Sequence, residues 1–416
     1  MKHTTLKMLA LAMGVTSLCA AGETAPVAAP AADSFSFCKW LPSKFKWFDA
    51  EKDNAVNPYI QKFDVTFRAQ YQWGSVAPSG DGNQINERRS NNEFRRLRMG
   101  AKATVFEDYK VKAVFDIGGA NGTIKDGERT RTSAALNSFE VSRKIGDYGI
   151  EIGKIKPAYT GEYRTSSSKI KTIERSAIVN QLIADKTWGL SVESKDKKSM
   201  INWQTGVWLQ GLHEDHIWTE PGFSSDTSAM WGASLTIKTG DSSKLYVDYM
   251  HSFAKTEDSE PIEPDCISYC GPGAKDVLGL SYEYKKDKVY FMGELIGGFN
   301  VTSDKKGAEN VFGLVLLPTY KFNDHFEGVF RYQLSAGSNA AMIYKRYYTT
   351  NTDASSYSDL MQAFYLGVNY YICPDKPDMM KIMTGIEYVD SHGVAKEGGD
   401  KGYTGWQFST ALRVNF

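Results

Sequence analysis

The sequence predicts an all-β fold, a 16-stranded antiparallel transmembrane β-barrel. Three observations lead to this prediction: an exported N-terminus, about sixteen segments of alternating polarity, and an alternating segment that runs to the last residue. In the ending GWQFSTALRVNF, Trp406, Phe408, Leu412, Val414 and Phe416 share one parity, and mostly polar residues fill the other. This period of two is typical of a strand with one apolar face.

Residues 1–21 predict a secretory signal peptide. Two lysines precede an apolar core from Met8 to Leu18, and small residues follow it. This core is too short to span a membrane. A lipoprotein site at Cys19 is the alternative, but Leu18 is bulky for the position before such a cysteine. The chain is therefore expected to be exported, with cleavage after Ala21.

Residues 22–61 are expected to lie outside the barrel. The stretch 22–34 is rich in Ala and Pro and has no packing face, which is typical of a linker. Residues 35–61 mix aromatic residues with lysines, and we interpret them as a short periplasmic segment against the barrel mouth.

Residues 62–416 predict the barrel itself. In the segment 62–73, Phe63, Val65 and Phe67 alternate with Asp64 and Thr66. Each such segment is close to the 9–11 residues that a tilted strand needs to cross a bilayer. The predicted strands are 62–73, 96–106, 110–118, 137–145, 149–156, 186–194, 200–211, 228–238, 244–254, 276–285, 288–298, 310–322, 326–337, 359–372, 379–390 and 403–416.

The connections alternate between tight polar turns and longer loops. Turns such as EDY, GDY and NDH are followed by long loops such as 74–92, 119–136 and 157–185. Short periplasmic turns and long external loops are typical of an outer-membrane barrel, whereas a soluble sandwich has no reason to alternate in this way.

The last strand is expected to pair with the first, because no strand edge can face lipid. The ending closed by Phe416 also resembles the assembly signal of Gram-negative outer-membrane proteins. We therefore expect the outer-membrane assembly machinery to be a partner through Phe416.

Composition excludes some classes of function. Lys+Arg and Asp+Glu each number 49, and removal of residues 1–21 with Lys2 and Lys7 leaves a net charge of −2. A nucleic-acid-binding domain is usually basic, so this class is not favoured. Mean hydropathy is −0.40 with 13% aromatic residues, which fits either a soluble β protein or a barrel. Of the mature cysteines, Cys266 and Cys270 lie in one loop, and the sequence leaves open whether they form a disulfide.

Catalysis has little support in the sequence. The stretch HEDH (213–216) lies in an external loop without the helical spacing of a metalloprotease motif, and GGANG (118–122) precedes no helix. We expect neither an enzyme, nor a cofactor, nor a metal site.

Residues 153–193 resemble the phosphate-selective porin O and P family of Gram-negative outer-membrane porins. The resemblance rests on GKIKP at 153–157, IERS at 173–176 and the strand opening at Gly189. The stretch 94–118 also resembles the second hairpin of that family. The resemblance implies sixteen strands, a homotrimer and a third loop that folds inward to narrow the pore.

The expected pore lining is basic. A barrel of sixteen strands leaves an aqueous channel, and charged side chains at its constriction determine selectivity. The candidates on the first three strands and the third loop are Arg68, Arg96, Arg98, Lys102, Lys112, Lys169, Lys171 and Arg175. The alternative is that part of this set only pairs with carboxylates of the same face, such as Asp116, Glu140 and Glu327.

The third loop, 157–185, is expected to lie inside the barrel. Ile173, Ala177, Ile178 and Val179 provide an apolar run that suits the inner wall. In this arrangement Lys169, Lys171 and Arg175 are expected to face the solute across from Arg96 and Arg98.

The predicted function is a porin of the outer membrane for passive diffusion of small solutes, with a preference for anions such as phosphate or similar oxyanions. Two alternatives stay open: a structural or adhesive protein that binds host or matrix through its long loops, and a sugar-permeating porin. Small anionic solutes and outer-membrane lipid are the expected partners.

Overall fold

A computed structural model describes residues 37–50, 57, 59–79, 88–118, 124–125, 128–129, 135–157, 159–184, 186–196, 198–210, 228–253, 274–301, 309–337, 343–346, 355–392 and 403–416. The predicted signal peptide at 1–21, the linker at 22–34, and Cys266 and Cys270 lie outside these ranges, so they stay predictions. In the described ranges, no helix is long and apolar enough to cross a membrane.

Sixteen antiparallel strands form the wall of the barrel, as the sequence predicted. The strands are β1 Ile60–Pro78, β2 Arg89–Val105, β3 Tyr109–Gly118, β4 Ala135–Ile145, β5 Tyr148–Ile155, β6 Thr187–Ser194, β7 Ile201–Gln210, β8 Ser228–Gly240, β9 Ser243–Ser252, β10 Asp276–Lys286, β11 Val289–Val301, β12 Glu309–Lys321, β13 Phe326–Gly337, β14 Leu360–Tyr371, β15 Met380–His392 and β16 Thr404–Asn415. Each strand pairs with its neighbours in sequence.

The barrel closes between its first and last strands. Strand β1 pairs with β16 from Arg68 opposite Asn415 to Pro78 opposite Gly405. The same strand pairs with β2 on its other edge. This closure satisfies the backbone hydrogen bonds of both terminal strands, which a wall in lipid requires.

The wall is apolar outside and polar inside. Along β14, Phe364, Leu366 and Val368 are 43%, 61% and 45% exposed, while Tyr365 and Asn369 are 4% and 1% exposed. A water-soluble sheet buries its apolar face, so this inverted pattern is that of a barrel surrounded by lipid.

The first hairpin is longer than the sequence predicted. The predicted strands ended at 73 and began again at 96, but β1 continues to Pro78 and β2 begins at Arg89. Pairing of β1 with β16 continues to Gly405, which shows that the hydrogen-bonded ladder extends past the alternating pattern. Backbone pairing beyond the hydrocarbon layer needs no apolar face, so the pattern stops before the strand does.

Residues near the N-terminus add a short strand to β1. Lys46–Asp49 pairs antiparallel with β1, with Asp49 opposite Lys62. The ring of Phe416 stacks with that of Phe45 at 5.0 Å and with that of Phe67 at 6.0 Å. A helix, α1, spans Phe37–Ser43.

Candidate pore constriction

The third loop, between β5 and β6, lies inside the barrel. Three consecutive backbone N–H groups at its start donate to inward-facing side chains on three neighbouring strands. The pairs are Thr160 with Asp248 at 2.8 Å, Gly161 with Ser281 at 2.9 Å and Glu162 with Glu294 at 3.0 Å. These bonds attach the first part of the loop to β9, β10 and β11.

Two short helices shape the loop. Helix α2 spans Gly161–Arg164, and the hydroxyl of Thr160 accepts from the N–H of Tyr163, which satisfies a donor at the helix start. Helix α3 spans Ala177–Leu182. Arg175 connects the two regions, since its guanidinium donates to the carbonyls of Glu162 at 3.0 Å and Thr165 at 2.6 Å.

The middle of the loop is held through its backbone carbonyls. Cationic and amide side chains of β1, β13, β14, β15 and β16 donate to carbonyls between 167 and 174. The donor and carbonyl pairs are Gln70 and Arg413 with Ser167, Lys381 with Ile170, Asn369 with Lys171, Arg413 with Ile173, and Arg331 with Glu174. The wall therefore holds this part of the loop through its backbone.

Apolar residues of the loop pack on the inner wall, as expected from the sequence. Ile173, Ala177, Ile178 and Val179 are all at most 6% exposed. Glycines on the wall provide the space: Cβ atoms added at Gly232 and Gly298 would overlap Tyr159 and Leu182. The inner wall is therefore shaped to receive this loop.

A β-bulge in β2 directs an additional arginine into the lumen. Gln70 pairs with Arg96, whereas Tyr71 pairs with Phe94, so Arg95 is the extra residue of the bulge. A bulge of this kind places two successive side chains on one face. Arg95 donates to the carboxylate of Glu174 in the third loop at 2.7 Å, and Arg96 donates to Gln70 at 2.9 Å.

Arginines of β1, β2 and the third loop form one basic cluster, which we call the arginine cluster. It comprises Arg68, Arg95, Arg96, Arg98 and Arg175. Arg96 lies within electrostatic range of Arg95, Arg98 and Arg175, and Arg68 within range of Arg98 and Arg175. The cluster faces the part of the lumen that the third loop narrows.

Several of the predicted pore residues pair with carboxylates across strands. Arg98 donates to Asp116 at 2.9 Å, and Lys112 donates to Glu140 at 2.6 Å. For Arg98 and Lys112, the alternative of pairing with carboxylates on neighbouring strands is therefore correct. Lys102 is exposed on the same face of β2.

The predicted cations of the third loop lie in three different places. Lys171 donates to Glu327 at 2.8 Å and to Tyr371 at 3.2 Å, on the wall formed by β13 and β14. Lys169 is 63% exposed with Asp378 at 4.0 Å. Only Arg175 of these three lies in the arginine cluster with Arg96. The expectation that all three face the solute across from β2 is therefore wrong for Lys169 and Lys171.

Three buried cations of the wall were not among the predicted residues. Arg331, Lys381 and Arg413 are at most 3% exposed, and all three donate to third-loop carbonyls. Their inward parity is visible in the sequence, but nothing in the pattern shows that a loop covers them. Arg95 was also missed, because strict alternation places it on the lipid face.

Glu174 is a carboxylate among these arginines. Burial raises the pKa of this group, but the charges of Arg95 and Arg96 outweigh burial and lower the pKa to about 2. Glu174 is therefore ionised at neutral pH. Its own carbonyl accepts from Arg331 at 2.7 Å, which fixes the backbone beneath it.

Within the described ranges, no group of three or more His, Cys, Asp or Glu side chains is arranged to hold a metal ion. The geometry is that of a narrowed, charged passage. It provides fixed cationic side chains along a wall of a water-accessible lumen, which is suited to selection of solutes by charge.

Comparisons with known proteins concern the family and the fold. Residues 63–257 match the family model described as phosphate-selective porin O and P, which confirms the resemblance predicted from the sequence. No curated protein matches the sequence.

Three solved structures with a similar fold are bacterial outer-membrane proteins. The anion-selective porin from Comamonas acidovorans has a TM-score of 0.54 at 10% identity, covering 85% of this chain and 99% of that one. OmpF of Salmonella typhi, solved with daunomycin, has a TM-score of 0.55 at 13% identity, and the match covers 85% of this chain and 98% of that one. The trimer form of OmpT of Vibrio cholerae has a TM-score of 0.50 at 12% identity, and the match covers 85% of this chain and 99% of that one. At these identities the likeness concerns the fold.

Proposed function

We propose that this chain, an outer-membrane porin whose residues 63–257 match the phosphate-selective porin O and P family, conducts small anions in preference to cations. The porin forms a multi-pass β-barrel in the outer membrane and is not an enzyme. The observation that carries the proposal is the arginine cluster at the constriction.

The balance of charge in the cluster supports anion preference. In the contacts between described residues, Arg98 bonds to Asp116 and Arg95 bonds to Glu174, so the five guanidinium groups of the cluster outnumber these two carboxylates. Arg68, Arg96 and Arg175 are bonded to neutral groups only in the contacts that the structure shows. A guanidinium keeps its charge at any physiological pH, so the passage remains cationic.

The finer proposal is that the preferred solutes are phosphate or similar oxyanions. A guanidinium presents several N–H donors in a planar fork that matches the oxygens of such anions. A solute that exchanges water for several such bonds in series is held weakly at each and is able to leave. We propose Arg68, Arg96, Arg98 and Arg175 as the main contacts, with the exposed Lys102 and Lys169 adding a more distant positive field. Lys112 and Lys171 are paired with Glu140 and Glu327 and add little net charge.

Titration of the chloride current with inorganic phosphate in planar bilayers tests this proposal. Phosphate should reduce the chloride current of the wild type, and Arg96→Gln should require a higher phosphate concentration for the same reduction. Arg143→Gln is the matched control, because Arg143 pairs with Asp108 at an exposed turn and should behave as the wild type. An Arg96→Gln response equal to that of the wild type would remove Arg96 from the phosphate path.

The proposed assembly is a homotrimer. The family resemblance implies it, and one of the solved structures with this fold is described as a trimer form. We expect a heat-modifiable species on mild-detergent gels that runs well above the size of one chain. A monomer at every detergent and protein concentration would contradict the trimer.

The adhesive alternative concerns the external loops, which lie largely outside the described ranges, and it stays a prediction. The sugar-permeating alternative would be favoured if neutral sugars, and not anions, altered the chloride current in the same titration.

A further inference from the structure

We propose that Glu174 is a tethered anion that occupies the arginine cluster and competes with permeating anions for it. This inference rests on the proposed function and adds a specificity-determining residue to it. The residue is an acid placed among the cations that were predicted to select for anions.

The position of Glu174 shows that its carboxylate is directed at the cluster. Its backbone is fixed, since its carbonyl accepts from Arg331 of β13 at 2.7 Å and from the hydroxyl of Thr172 in the same loop at 2.8 Å. From this fixed backbone the side chain crosses to β2, where it accepts from Nε of Arg95 at 2.7 Å. The neighbouring Arg175 is held instead by carbonyls of its own loop.

The pair is in contact with water. The side chains of Arg95 and Glu174 are 32% and 22% exposed, whereas the anchoring Arg331 and Glu387 are 4% and 7% exposed. Since the loop lies inside the barrel, this exposed part is reached from the lumen. An ion pair with a purely structural role would be as buried as Arg331 and Glu387. Glu174 is instead exposed to the lumen, where a solute passes.

The contact between Glu174 and Arg95 has the same chemistry as the contact of a bound anionic solute. A carboxylate accepting from a guanidinium is the same interaction that a permeating oxyanion would make. Each anion that enters must therefore share the arginines with a carboxylate that never leaves. Such competition lowers the residence time of the anion and prevents a strongly cationic constriction from becoming a trap.

Two substitutions on the same ion pair separate this inference from a structural role. Glu174→Gln removes the tethered charge and keeps the shape, so anions should bind more tightly. We expect the chloride concentration that gives half-maximal conductance to fall by about fivefold, given one charge removed at close range in a partly screened site. Arg95→Gln removes an attracting charge and leaves Glu174 in place, so the same concentration should rise.

A structural brace predicts a different result, because both substitutions break the same contact and should then shift the half-maximal concentration in the same direction. A shift of the half-maximal concentration in the same direction in both variants, or no shift in either, would overturn the inference. Asp108→Asn is the matched control for loss of a carboxylate from an exposed ion pair outside the lumen, and it should leave the concentration unchanged. Heat-modifiability on gels establishes that each variant is folded.

The ion preference of the wild-type channel separates the failure of this inference from the failure of the proposed function. A wild-type channel that prefers cations would contradict the proposed function. In that case, if Glu174→Gln and Arg95→Gln shift the zero-current potential in opposite directions, the charge of Glu174 still lies in the permeation path. If both variants shift the potential in the same direction, the inference about Glu174 is overturned together with the proposed function.

Discussion

Ile178 of α3 fills the space in front of Gly313 on β12: a Cβ atom added to Gly313 would lie 2.6 Å from Cγ2 of Ile178. Such a distance is too short for two carbon atoms, so a larger residue at 313 must displace the loop. The position of the third loop is therefore determined partly by the absence of a side chain on the wall.

We expect Gly313→Val to move α3 away from β12 towards the lumen. The single-channel conductance should fall, and docking of the loop should weaken by about 2 kcal/mol through overpacking. The matched control is Gly293→Val on the outer face of β11, where the nearest atom to an added Cβ is 3.3 Å away on Phe291. If both variants conduct as the wild type does, the loop is not seated on Gly313.

The buried lysine of β15 tests the attachment of the loop through its carbonyls. Lys381 is fully buried and donates to the carbonyl of Ile170 at 2.9 Å. Lys381→Met removes this hydrogen bond from the buried carbonyl of Ile170, which weakens the attachment by about 2 kcal/mol. Open-channel current noise should increase, with the folded barrel retained on gels. Noise equal to that of the wild type would show that this bond does not hold the loop.

The ion pair of Arg95 and Glu174 should depend on pH only under acidic conditions. The pKa of Glu174 is lowered to about 2 from an ordinary value of 4.5. A lowered pKa gives a stabilisation that is present above the ordinary value and is lost as the pH falls towards the lowered one. The difference in thermal stability between the wild type and Glu174→Gln should thus be constant from pH 5 to 8 and decrease between about 4.5 and 2. A change between pH 6 and 8 would contradict the assignment.

The ring contacts of Phe416 and its proposed role in assembly can be tested separately. Phe416→Ala should lower assembly into the outer membrane while export continues, because the ending resembles an assembly signal. Loss of the ring contacts alone costs about 1 kcal/mol for each pair. Phe45→Ala removes a stacking partner of Phe416 without changing the ending, so it should assemble nearly normally. Equal assembly defects in both variants would show that the stack, and not the signal, is what matters.

The sequence predicted the wall well because alternation in a barrel is enforced by lipid on one side and water on the other. The closing contact of β1 with β16 followed from the same constraint. The inward position of the third loop was predicted from its apolar run and the family resemblance, and Ile178 and Val179 are fully buried as expected.

The candidate site was predicted less completely. Arg95 faces the lumen because of one bulge between Phe94 and Arg96, which shifts the phase of the alternation, so a strict period of two continued back from Arg96 misplaces it. Lys171 was expected opposite Arg96 but is held by Glu327, since the direction of a loop side chain depends on the wall strand that the loop meets. Such contacts join residues far apart in sequence, and local patterns do not contain them.

The most direct test of the central claim is the zero-current potential of the wild-type channel in a planar bilayer under a potassium chloride gradient. Anion preference predicts a potential with the sign of the chloride equilibrium potential, and replacement of Arg68 and Arg96 by Gln should move it towards the potassium value with the barrel still folded. A wild-type potential at zero or on the potassium side would contradict the claim that the arginine cluster makes this porin prefer anions.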